Sequence, residues 1–308
     1  MKKFILDTDM GVDCDDAVAL ALLINYKKAG ACDILGVTAS STREGATATI
    51  RTICDYYKED FPIGAMALPA LACDNINNYG KYIKDFYEQS DETTEAIALI
   101  RKLLSQTAEK IEIIAIGPLT NIARLLRSEA DEISALCGME LVRKKVSAMY
   151  VMGGSFTQNY GRAGIEKQQP FGEWNILQDV ESAKYVTENF PSKIIFCPHE
   201  AGDKVLTDMQ SGNNPVWACM KQYAISEGFS YQPGFRRPSW DPITCLCALE
   251  QETNYFDRSE LGKVIVGIDG VTTFHASENG NVRILLNKEN YLEIADRING
   301  FIEPISES

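Results

Sequence analysis

Short apolar runs separated by helical patterns constrain this chain more than any other feature. FILDTD (4–9), ILGVTAS (34–40), PIGAMA (62–67), IEIIAI (111–116), AMYVMGG (148–154) and KIIFCP (193–198) have strand length and almost no polar alternation. A strand that is apolar on both sides must be covered on both sides, which is the condition of a parallel sheet between helices. Helical patterns fall at 15–30, 46–57, 93–104, 119–126, 180–189, 215–226, 242–250 and 291–301. KVIVGID and VRILL read as late strands. The expectation is an α/β fold: an open, mostly parallel central sheet with helices on both faces and a Rossmann-like core. The chain shows no internal repeat, and its length suits one domain over 1–308.

Composition narrows the function classes. A net charge of −13 argues against a nucleic-acid partner. No apolar run reaches the length of a membrane span. The two N-terminal lysines are followed by Asp7 and Asp9, which interrupt any signal-peptide core, so a cytoplasmic protein is expected. Nine cysteines without a CxxC pair read as buried reduced thiols. With only His199 and His275 present, a histidine-rich zinc site is excluded.

The stretch DTDMGVDCDDAVALALL carries five aspartates, Asp7, Asp9, Asp13, Asp15 and Asp16, between the end of one strand and the start of a helix. In open α/β sheets ligands bind beyond the carboxyl ends of the strands. One helix N-terminus favours one or two of these charges by about 0.3–1 kcal/mol each. A cluster of this size asks for more, and a hard cation such as Ca²⁺ or Mg²⁺, which takes carboxylate and carbonyl oxygens, supplies it. The plainer alternative is capping plus solvated loop charge. An EF-hand is ruled out, because counting from Asp7 places Val12 and Val18 where Gly and Glu are needed. A phosphatase of the strand-DxD type is a weak alternative, since Gly11 stands where Thr or Val belongs.

DTDMGVDCDDAVAL, IGPLTNIARLL, YVMGG, EWNILQDVESA and SWDPITCLCAL together resemble, in order and spacing, the inosine–uridine preferring nucleoside hydrolase family. The resemblance runs from Phe4 to about Leu249 and continues weakly beyond. It implies a Ca²⁺-dependent hydrolase that splits the N-glycosidic bond of ribonucleosides through an oxocarbenium-like transition state. It also implies a small-molecule ribonucleoside partner, no nucleic acid, no membrane, and a homodimer or homotetramer.

By the same resemblance, Asp9 is the general base and a metal ligand, joined by Asp16, Asp241 and the Ile116 carbonyl. Asp15 hydrogen-bonds a ribose hydroxyl, Glu173 and Asn175 grip the ribose, Met152 packs under the sugar, Asn159 reaches it, and Asp7 orients the cluster. Met152 as plain core and Asp241 as a helix cap with Pro242 at the first helical position are the competing structural readings.

Three departures matter. Asp13-Cys14 adds two residues before the aspartate pair, which leaves open which of Asp13, Asp15 and Asp16 fills each place. Trp240 stands where many members carry the histidine that protonates the departing base; its ring is expected to stack on the base or to be core. The loops SSTREG (40–45), with Arg43, and ALACDNINNYGKY (70–82) also differ. His199, after KIIFCP, lies on the ligand side of the sheet, while His275 lies in a late strand-turn region. A ribosyl-binding homologue without turnover is the main rival to an enzyme.

Overall fold

The computed structural model of the chain describes residues 1–67, 79–156, 171–229, 234–250 and 255–305. The first half comprises β1 (Lys2–Thr8), α1 (Asp15–Lys28), β2 (Cys32–Ala39), α2 (Ala46–Tyr56), β3 (Ile63–Ala65) and α3 (Tyr79–Tyr87). It continues with β4 (Thr94–Glu95), α4 (Ala96–Gln106), β5 (Ile111–Ala115), α5 (Thr120–Arg127), α6 (Gly138–Lys145) and β6 (Val146–Met152). The second half holds α7 (Trp174–Gln178), α8 (Val180–Asn189), β7 (Lys193–Cys197), α9 (His199–Gly202), β8 (Leu206–Asp208) and α10 (Pro215–Ser226). Then come β9 (Arg236–Pro238), α11 (Trp240–Leu249), β10 (Phe256–Arg258), β11 (Gly262–Val266), β12 (Thr272–Ala276), β13 (Val282–Asn287) and α12 (Tyr291–Asn299).

The main sheet runs β12-β11-β13-β7-β6-β5-β1-β2-β3-β4, with β10 paired to β13. From β4 through to β7 and β13 the pairs are parallel. The β11 and β10 pairings are antiparallel and confined to one side of the sheet. The open, mostly parallel sheet expected from the apolar runs is the one observed, and no helix among the described residues is long and apolar enough to cross a membrane.

Residue alternation explains why the strands read as continuously apolar. Leu6, Ile114, Tyr150 and Met152 face one core with α1, α10 and α11. Ile5, Ile113, Met149 and Val151 face the other, with α4, α5 and α8. Each strand therefore feeds two cores at period two. Helix α1 is buried from Asp15 to Tyr26, the state of a helix that is apolar all round. Helices α3 and α6 were not expected. The loop expected over 70–82 is helical from Tyr79 onward, with Tyr79 and Ile83 buried where α3 packs against α2 and α10.

Strand β1 has β2 on one side and β5 on the other, so the chain switches direction across the sheet at this point. Open α/β sheets bind ligands at such a switch. Three elements are tied together there. Asn121 of α5 donates from Nδ2 to Asp7 Oδ1 (2.8 Å) and to the Ala39 carbonyl (3.0 Å). Thr38 of β2 donates to the same Asp7 oxygen (2.6 Å). Asn121→Ala removes a donor from two buried acceptors and is expected to lower stability by about 1–3 kcal/mol. Urea unfolding measures this, and a change under about 0.5 kcal/mol would mean that the tie carries little of the fold.

Candidate active site

Two helix N-termini meet at the carboxyl end of β1. Helix α1 brings Asp15 and Asp16 in its first turn, and α11, which packs against α1, brings Asp241. One carboxylate oxygen from each lies within 4.8 Å of the others, and all three side chains are buried. Asp241 is not the cap expected from the Asp-Pro pair. The helix begins at Trp240 after Ser239, which places Asp241 inside the first turn with its carboxylate free for the cluster and its backbone N–H donating to Asp15 Oδ2 (3.1 Å). The α1 N-cap, Cys14, makes no side-chain cap either.

The cluster lines a cavity of about 290 Å³ together with Asp9, Asp13, Arg43, Ile116, Met152, Glu173, Asn175, His199, Arg237 and Trp240, among others. Asp9 is outside the tight trio but shares its electrostatics: Asp16 and Asp241 are both pushed further up by its charge. Gly117, directly after Ile116, makes room for Asp9, because a Cβ there would sit 2.8 Å from the Asp9 Cβ and backbone nitrogen.

Burial governs the ionisation of these groups. Desolvation raises Asp9, Asp16 and Asp241 well above the usual carboxylate range, and neighbouring aspartates add to it. The Arg43 guanidinium pulls Asp9 back down. Asp15 is pushed up to about 8, by burial first and by Asp13 second. Thr8 donates to Asp16 Oδ1, whereas Asp16 Oδ2 is buried with no hydrogen-bond partner among the described residues. A set of buried carboxylates with an orphaned oxygen is a donor set that fits a hard divalent cation.

Asp7 sits behind the cluster, fully buried and outside the cavity lining, and burial pushes it up to about 7. Its seclusion argues against a phosphatase that would use it as a nucleophile. Asp13 separates from Asp15 and Asp16: its carboxylate pairs with Arg237, Nε to Oδ1 at 2.9 Å. The two extra residues form a loop closed by Tyr79, whose hydroxyl accepts from Gly11 N (3.1 Å) and donates to the Asp13 carbonyl (2.9 Å). Gly11 adopts φ 103° there, in the left-handed region.

Glu173 and Asn175 form a rigid edge. Glu173 caps α7, with Oε1 accepting from Asn175 N (3.0 Å) and Oε2 from Gly154 N (3.0 Å) and Ile176 N (3.3 Å). Three of roughly four acceptor positions of a carboxylate are thus filled. Burial holds Glu173 up at about 7 despite these bonds. Asn175 Nδ2 donates to the Ile116 carbonyl (3.1 Å) and the Met152 carbonyl (3.2 Å), which links β5 and β6.

Met152 belongs to the core, as the structural reading expects, and also lines the cavity. Trp240 is half-buried, with the Arg237 guanidinium 4.9 Å from its ring centre and the His199 ring at 5.2 Å. His275 is exposed on β12 beside Thr273 and away from the cavity. Asn159 lies outside the described residues, as does most of the 70–82 loop. Sequence reasoning gave no role to Arg237, Tyr79 or Asn121, and placed Arg43 without one. Only Asn121 stood in a recognisable block, LTNIA.

The sequence profile described as inosine-uridine preferring nucleoside hydrolase matches residues 4–298. The pyrimidine-specific ribonucleoside hydrolase RihA of Escherichia fergusonii is 27% identical over 197 residues, 60% of this chain and 56% of that protein. The aligned part therefore spans little more than half the length of the curated relatives. The plant nucleoside hydrolase PpNRh1 superposes with a TM-score of 0.72 at 21% identity over 98% of each chain. The inosine-uridine preferring nucleoside hydrolase of Bacillus anthracis gives 0.66 at 19% identity over 98% of this chain and 99% of that one. At these identities the superpositions establish the fold.

The carboxyl shifts set a pH dependence. Asp7, Asp15 and Glu173 hold protons more tightly folded, at about 7, 8 and 7, than an unfolded chain does near pH 4. Their stabilisation is full below about pH 4 and is lost as pH rises through about 7–8. The metal-free protein should melt at progressively lower temperature from pH 5 to pH 8.5. Added Ca²⁺, which binds the ionised cluster, should raise the melting temperature by several degrees at pH 8 and by much less at pH 5. Equal shifts at both pH values in a thermal-unfolding series would show that the cluster is not where the cation binds.

Proposed function

Because the chain belongs to the inosine-uridine preferring nucleoside hydrolase family, we propose that it hydrolyses the N-glycosidic bond of ribonucleosides to ribose and free base. One observation carries the reading: Asp15, Asp16 and Asp241 converge beside Asp9 in a cavity also lined by Glu173 and Asn175. Two cores on the two faces of one sheet support a single domain over 1–308. A homodimer or homotetramer is the assembly that the family resemblance favours.

In this reading Asp9, Asp16, Asp241 and the Ile116 carbonyl hold Ca²⁺, with Asp15 at the same point. A cation held there would supply the positive charge that lowers the pKa of a neighbouring water. Asp9 takes a proton from the water as it attacks the anomeric carbon. Positive charge grows on the sugar, and the surrounding carboxylates stabilise it. Glu173, Asn175 and Asp15 hold the ribose hydroxyls, Asn159 reaches the ribose, and Met152 packs beneath it. Asp7 acts from behind, through β1. The backbone bonds of Glu173 fix its carboxylate at the edge of the cavity. Trp240 and Arg237 border the side left for the base.

A panel of nucleosides assayed with Ca²⁺ for released reducing sugar tests the reading. Binding without release of ribose would support the non-hydrolytic rival. In an active protein, Asp9→Asn should preserve the fold and lower kcat by at least ~10², the scale of a lost general base. If the variant keeps most of its activity, another residue is the base.

A further inference from the structure

Cleavage of a natural nucleoside expels a poor leaving group, so the base must gain a proton as the bond breaks. Among the described residues, the cavity wall offers few donors. Its arginines, Arg43 and Arg237, do not release protons near neutral pH. The Tyr223 phenol is pushed further up by burial. The aspartates belong to the cation site, and Glu173 spends its carboxylate on backbone N–H groups. Glu227 lines the cavity but is exposed to solvent. His199 is the one imidazole on the lining, a side chain whose ordinary pKa of about 6.5 suits proton transfer near neutrality.

The scaffold holds that ring in place. His199 opens α9 directly after β7, and its backbone N–H donates to the Gly154 carbonyl (2.9 Å). Trp240 Nε1 donates to the His199 backbone carbonyl (3.0 Å), which anchors the indole to the main chain that carries the imidazole. The rings lie 5.2 Å apart with a 33° tilt, and Phe171 meets the imidazole edge-to-face at 5.5 Å. Gly202 permits this contact, since a Cβ there would fall 2.5 Å from the Trp240 Cα. Among the described residues, charged groups on this part of the wall include Arg237, paired with Asp13, and Glu200, whose carboxylate accepts the Phe156 N–H (2.9 Å).

We propose that His199 is the proton donor to the departing base, with Trp240 as the shelf that positions it. The imidazolium gives its proton to a base nitrogen while the C1′–N bond breaks and the bond pair stays with the base. Water adds hydroxide to C1′, and its remaining proton goes to Asp9, from which solvent returns a proton to His199. The proposal rests on the hydrolase reading given above.

The test compares His199→Phe, which keeps an aromatic ring on the indole, and His199→Gln in the full-length protein with Ca²⁺. Inosine and uridine serve as poor leaving groups, and p-nitrophenyl riboside, whose phenolate departs unaided, as a good one. Both variants should lose ~10²–10³ in kcat on the nucleosides with KM little changed, and stay within about threefold of wild type on the nitrophenyl riboside. Equal losses on both substrate types would make His199 wall packing and overturn the proposal, as would unchanged nucleoside hydrolysis. A wild type that cleaves the nitrophenyl riboside and no nucleoside also overturns it, while the hydrolase reading survives. A wild type that cleaves neither overturns both.

Discussion

Mutual repulsion among buried carboxylates is the constraint that the rest of the structure answers. Asp9, Asp15, Asp16 and Asp241 are each at most 5% exposed and share one cavity. Two unit charges 4 Å apart repel by about 4 kcal/mol at an effective dielectric of 20. A helix N-terminus offsets roughly 0.3–1 kcal/mol per carboxylate, and α1 and α11 together supply two of them. That falls short of the repulsion. Without a cation the groups respond by keeping protons, which is the sense of every shift in the cluster. A divalent ion bound at the cluster would replace those protons, which makes cation affinity and proton affinity two sides of one balance.

Such a balance is useful only if the carboxylates cannot move apart. The surrounding bonds prevent it. Asp7 is clamped by Thr38 and Asn121, which fixes the end of β1 to β2 and α5. Tyr79 fastens the loop that leads into α1. Asn175 joins the ends of β5 and β6 on the other side. None of these side chains belongs to the acidic trio, yet each limits how far its members can relax.

Much of this was legible in the sequence, for identifiable reasons. Strands buried on both faces leave continuous apolar runs, so β1, β2, β5, β6 and β7 could be placed to within a few residues. Helix α10 has Asn214 as its cap and Pro215 in its first turn, and its boundaries agreed at both ends. The acidic cluster was legible because like charge beside apolar sequence demands a compensating partner. What stayed hidden depends on contacts between distant segments. Nothing local marks Tyr79 as the fastener of a loop 66 residues earlier, or joins Arg237 to Asp13 across 224 residues. The Asp-Pro signal misplaced the start of α11 because Asp241 is held by its neighbours in α1 rather than by its own helix.

The two additional residues of the acidic loop reach furthest into specificity. Asp13 turns away from the cluster and fixes Arg237. The guanidinium then lies 4.8 Å from the Tyr223 ring centre and 4.9 Å from that of Trp240, and so joins two aromatic walls of the cavity. An arginine whose charge is matched by a carboxylate and whose planar group rests on aromatic rings acts as a rigid spacer with directed N–H groups. On the sugar side, carboxylates and backbone carbonyls are held by strand ends, where a displaced atom disturbs the whole cluster. On the opposite wall, which the proposed reading leaves for the base, the shape comes from loops and from α9, α10 and the start of α11. Substitutions there alter the wall without touching the cation site. In the proposed reading, a chain of this fold would keep one chemistry at the ribose while residues such as Arg43, Arg237 and Trp240 shape the rest of the wall.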